Sequence, residues 1–162
     1  MSPLDEQTPT RETQNTVSAA LPILRELEKK VLWLSTWMIH HANHLRSSDG
    51  ELKVGGHQAS SASMVTLMSA LYFSTLRPHD RVAVKPHGSP VFHAIQYLLG
   101  NQSREQLARF RALGGAQSYP SRTKDVDDVD FSTGSVGLGV AMTSFTALVQ
   151  DYLDAHGWAT ER

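Results

Sequence analysis

Three times the chain runs from glycine or other small residues straight into a helix-forming stretch, and no other feature constrains its fold as much. The segments are VGGHQASS at residues 54–61, KPHGSP at residues 85–90 and STGSVGLG at residues 132–139. Glycine turns where a side chain would clash, and it lets a ligand approach the main chain. The free N–H groups and the dipole of a helix start favour an anion. His57 and His87 stand at two of these junctions, where an imidazole can donate a hydrogen bond or move a proton near neutral pH. Singly, each segment reads as a turn. Together they predict an anion-binding or catalytic edge, without specifying its ligand.

The stretches between the junctions supply the scaffold. Residues 1–17 are polar, carry two prolines and lack periodicity, which predicts a disordered tail. From about Ser18 to about Arg46, Leu24, Leu27, Val31, Leu34 and Met38 recur at helical spacing. The turn-rich SSDGELKVGG ends that helix. A second helix is expected over residues 58–76, ended by Arg77-Pro78. RVAVK, residues 81–85, reads as a short buried strand. Ser89 as N-cap and Pro90 as first residue predict a helix over residues 91–99, and Ser103 caps another. Residues 114–131 are irregular and carry the acidic run DVDDVD; STGSVGLG then opens a long helix. One strand among several helices makes the class α/β. A lone strand needs partners, so the chain is expected to be the front portion of a domain.

Charge and composition exclude several functions. The 162 residues carry a net charge of −1, against a binder of nucleic acid driven by phosphate neutralisation. There is no cysteine, so disulfides, zinc–thiolate centres and thiol nucleophiles are excluded. No apolar run reaches spanning length and the first residues do not form a signal peptide, so a soluble cytoplasmic protein without a membrane partner is expected. His40 and His44 lie at i and i+4, a metal-compatible spacing. With no third ligand evident, they read as the polar face of a surface helix, and no metal site is predicted within the chain. His93 reads as a packing residue beside Phe92 and Tyr97.

In order and spacing, GGHQASSASM, DRVAVKPHGSP and STGSVGLGVAM resemble the N-terminal part of thiamine-diphosphate enzymes of the transketolase superfamily. The resemblance spans residues 24–152 and is closest to the homodimeric first component of pyruvate dehydrogenase, where SYP at residues 118–120 also has a counterpart. It implies a three-layer thiamine-diphosphate-binding fold, a parallel sheet flanked by helices, of which residues 18–162 would form an incomplete N-terminal part. It implies that His57 and His87 are catalytic and face the cofactor, with Ser60 beside His57. Gly134, Ser135, Val136 and Gly137 would line the cofactor rings. Lys85 and Pro86 depart from the glutamine and glycine of pyruvate-type members. The family's magnesium ligands and activating glutamate would lie outside this chain, which is therefore expected to be inactive by itself. The parent protein would act on a small-molecule 2-oxo acid, or on a keto sugar as a ketol transferase, and would form a homodimer. A non-catalytic truncated or regulatory module of the same fold is the alternative.

Overall fold

The computed structural model describes residues 11–46, 54–132, 134 and 136–158. Helix α1 runs over Arg11–His40 and continues as a π-helical turn, His41–Leu45. It starts within the stretch read as a tail. Its predicted stripe points inward: Val31 and Met38 are fully buried, and Leu34 packs against both halves of the core.

The second predicted helix is broken. Helix α2, Gln58–Ala62, gives way at Ser63 and Met64 to α3, Val65–Ala70, which ends in a π-helical turn, Leu71–Thr75. Ser63 Oγ donates to the Ser60 carbonyl at 2.9 Å. Such local bonds offer the backbone an alternative to the helical ladder, and they favour a break in a serine-rich stretch.

The expected strand forms no ladder. Residues 81–85 are extended but pair with no other strand, and the described residues contain no sheet. The expectation of a parallel sheet flanked by helices is corrected to that extent: a β-branched run fixes an extended backbone, whereas a sheet needs a neighbouring strand. The run is held by an aspartate instead. The Val82 N–H donates to Asp130 Oδ2 at 2.9 Å, and Arg81 Nε lies 3.4 Å from Asp130 Oδ1. Val84 is buried in the core.

A 3₁₀ turn, Pro86–Gly88, leads into helix α4, Ser89–Leu98, the central element. Ser89 lies inside the helix and makes no capping bond, with Gly88 at the cap position, contrary to its expected role. Val91, Phe92, Ala94 and Ile95 are buried against α1 and α3. A second cluster joins Met38 of α1 to Leu107, Phe110 and Ala116. Helix α5, Arg104–Ala108, is capped as predicted, the Ser103 hydroxyl accepting from the Gln106 N–H at 3.2 Å. Helix α6, Leu138–Ala155, also follows the prediction, yet it buries no side chain although it carries Val140, Phe145, Leu148, Val149 and Tyr152. No helix among the described residues is long and apolar enough to cross a membrane.

Candidate functional site

The first junction is fixed by two glycines. A methyl group on Gly55 would sit 2.4 Å from the Ile39 carbonyl oxygen, so only glycine lets the chain pass this close to α1. The Gly55 N–H donates to Asn43 Oδ1 at 2.6 Å. Gly56 then takes φ 90, in the left-handed region where a Cβ is strained. His57 follows, extended and exposed, immediately before α2. His87 comes to the same place from the 3₁₀ turn ahead of α4. The two imidazoles stack with centroids 6.0 Å apart and planes 27° from parallel. Residues thirty apart in sequence thus share one cleft wall.

Two hollows meet at His87, Pro86 and Tyr119. One, about 240 Å³, is lined by Ile39, His57, Ser89, Phe110, Arg111 and Ser118, among others. The other, about 230 Å³, is lined by Val84, Lys85, Gly134, Val136, Gly137 and Val140. The structure therefore brings His57, His87, Gly134, Val136 and Gly137 together. Ser60 lines neither hollow, and Ser135 lies outside the described residues. Tyr119 divides the two spaces. Its ring packs on Gly134, where an added Cβ would meet Cδ1 at 3.2 Å.

Ser89 and Arg111 are the wall residues that the sequence did not reveal. Ser89 is fully buried, and its hydroxyl has no hydrogen-bond partner. An unpaired buried hydroxyl costs about 1–3 kcal/mol. Arg111 is the one non-glycine residue with a left-handed backbone among those described, at φ 61. That conformation costs roughly 1–2 kcal/mol and persists only where neighbours impose it. The neighbours are Phe110, buried in the core with its carbonyl accepting from Arg46 Nη1 at 2.7 Å, and Ala116, whose carbonyl accepts from the Arg111 N–H at 2.8 Å. No local motif announces such a residue. Tyr119 and Ser118 had a signal, the SYP segment.

Behind the wall lies a buried polar network. His93 and Asp127, both with fully buried side chains, are hydrogen-bonded through Nδ1 and Oδ2, and Gln102 donates to the other carboxylate oxygen. His93 Nε2 meets the Gln117 carbonyl at 2.7 Å. A carbonyl only accepts, so Nε2 carries hydrogen and a second proton is shared between Nδ1 and Asp127. Burial raises the Asp127 pKa above its ordinary value; the hydrogen bond and charge of His93 oppose that rise, and Asp125 adds to it. Asp125 accepts from the Gln117 N–H at 2.9 Å and the Ser121 N–H at 2.8 Å. Gln117 is thus gripped at both its carbonyl and its N–H, immediately before Ser118 and Tyr119 enter the cleft. His93 is therefore more than the packing residue expected.

His93, Asp125 and Asp127 each offer a ligand atom within 4.8 Å of the others. Both ring nitrogens and all four carboxylate oxygens already have partners, so the cluster is a hydrogen-bond network and not an open metal centre. His40 and His44 lie on the surface with ring centroids 4.9 Å apart and planes tilted by 37°, and both remain exposed.

No protein-family model matches the chain, and no solved structure matches it. Relatives by sequence include the pyruvate dehydrogenase E1 component of Cupriavidus necator, 32% identical over 154 residues, covering 87% of this chain and 16% of that protein. The E1 component of Escherichia coli strain K12 is 29% identical over 146 residues, covering 85% and 16%. A transketolase of Staphylococcus aureus strain N315 is 31% identical over 67 residues, covering 41% and 10%. The chain spans about 16% of the length of the E1 components it matches. By sequence it is related to pyruvate dehydrogenase E1 components and to transketolases, the kinship its three glycine-bearing junctions suggested.

Proposed function

We propose that this chain forms one wall of a thiamine-diphosphate site in an enzyme acting on a 2-oxo acid, as pyruvate dehydrogenase does, with ketol transfer from a keto sugar as the second reading. The observation that carries it is the pairing of His57 with His87 at 6.0 Å, beside the glycine segment that opens α6. The residues present fit such a cofactor. The hollow beneath Val84, Val136 and Val140 is apolar and glycine-backed, as a planar ring requires. The adjoining hollow offers two imidazoles as donors. When bound, thiamine diphosphate supplies a nucleophilic carbon for a substrate carbonyl.

The chain's own residues then bind, orient and move protons. Gly134, Val136 and Gly137 would lie against the ring, and His57 and His87 would donate to oxygens where negative charge grows. An imidazole in either position can also return a proton to such an oxygen. No carboxylate lines either hollow among the described residues, so none of these residues would hold magnesium. Lys85 lines the ring-side hollow and leaves ketol transfer as the alternative to the pyruvate reaction. A homodimer belongs to the same reading.

Kinetics of the full-length protein test it. His87→Ala should lower turnover roughly a hundredfold, because a donor aimed at developing charge is worth about 3 kcal/mol. It should weaken thiamine diphosphate binding by only about 1 kcal/mol, the worth of one neutral donor. If His87→Ala and His87→Asn both keep turnover within about twofold, a change of under half a kilocalorie, His87 is a turn residue and has no catalytic role.

A further inference from the structure

We propose that Arg111 binds the anionic group of the substrate, a carboxylate or a phosphate, in the hollow it shares with His57 and His87; this rests on the reading above. Four observations carry it. First, its left-handed backbone, set between buried Phe110 and the bond to Ala116, fixes where the side chain leaves the main chain. Second, the guanidinium lies over Gly56, where an added Cβ would come 3.0 Å from Nη1. Glycine at 56 thus leaves room for it next to His57. Third, the guanidinium has no acidic or carbonyl partner among the described residues, whereas Arg46 and Arg109 each donate to a backbone carbonyl.

Fourth, among the described residues the charges that line the cleft have one sign. The chain as a whole has a net charge of −1. Yet among the described residues the hollow holding Arg111 is lined by no aspartate or glutamate, the ring-side hollow adds Lys85, and the outer groove that Arg111 also borders adds Lys124. A cationic mouth with apolar walls focuses anions towards the paired imidazoles. Arginine's fixed fork suits a carboxylate or a phosphate bidentately. The ring-side hollow shares Pro86, His87 and Tyr119 with this one, so a cofactor ring there would leave this hollow to the substrate anion.

The test labels arginine with phenylglyoxal in the full-length protein and reads Arg111 by mass spectrometry. The probes are pyruvate against its uncharged methyl ester, and xylulose 5-phosphate against xylulose. Shielding of Arg111 by a charged member and not by its uncharged partner is the expected result, and which pair shields separates carboxylate from phosphate. Equal labelling with and without both anions overturns the proposal. So does shielding by thiamine diphosphate alone, which would assign Arg111 to the cofactor. In kinetics, Arg111→Met should raise KM for the charged substrate roughly 10- to 100-fold, the loss of a charge-assisted pair, with kcat nearly unchanged. Arg111→Lys should recover part of it, and KM for the uncharged analogue should not move. A loss of kcat equal for charged and uncharged substrates would show a structural role and overturn the proposal. Failure of thiamine diphosphate to shield His57 and His87, with Arg111 still shielded by the anion, would instead overturn the thiamine reading alone.

Discussion

Asp127 is a carboxylate held in the protein interior against a histidine, and its titration should be visible in stability. Its folded pKa is raised above the ordinary 3.8. A raised pKa means that the folded state holds the proton more tightly than the unfolded one. That contribution is complete below the unfolded value and is lost as pH rises through the folded one. Asp127→Asn keeps the shape, donates to His93 Nδ1 and accepts from Gln102, but does not titrate. Wild type should therefore lose stability relative to Asp127→Asn as pH rises above the ordinary aspartate value and through the raised folded one, by up to roughly 1.4 kcal/mol per unit. Urea denaturation of the two proteins across that range measures it. A difference that stays constant, or that grows in favour of wild type, would contradict the shared proton.

At the scale of elements, the glycines separate strain from steric exclusion. Gly137 precedes α6 at φ 83 with open space around it, so Gly137→Ala pays the left-handed cost alone, about 1 kcal/mol. Gly55→Ala would drive a methyl group into the α1 backbone, and it should cost more and shift His57 out of line with His87. Thermal unfolding together with the reactivity of His57 distinguishes them; equal costs for the two would contradict the close approach at Gly55. These junctions were legible in the sequence because they are local: Gly-Gly-His, Pro-His-Gly and Gly-Leu-Gly carry their own backbone requirements. The Ser103 cap and the stripe of α1 were legible for the same reason. What was not legible depends on distant parts of the chain. RVAVK shows its extended backbone but not what it pairs with. Ser89 looks like a cap until Gly88 takes that position. Asp127 looks like surface acid until His93, 34 residues earlier, comes to meet it. Arg111 stands out only through a backbone that Phe110 and Ala116 impose.

For the whole molecule, the open question is what α6 packs against. A helix apolar on several faces belongs inside a larger structure. Here Leu138, Val140, Phe145, Leu148, Val149 and Tyr152 are exposed, as is Trp158 just beyond. Such a patch drives association. The 162-residue chain on its own should scatter light as an oligomer and bind a hydrophobic dye, and Phe145→Glu with Leu148→Lys should reduce both. A monodisperse wild-type chain without dye binding would contradict an uncovered α6.

The central claim is that His57, His87 and the glycine segment before α6 form one thiamine-diphosphate cleft. Carbethoxylation of the full-length protein, read histidine by histidine in a mass spectrometer, tests it most directly. His57 and His87 are exposed and should react freely, whereas His93, fully buried, should not. Saturating thiamine diphosphate with magnesium should shield His57 and His87 together and leave the surface residues His40 and His44 as reactive as before. Unchanged reactivity at His57 and His87, or shielding of one without the other, would contradict the account.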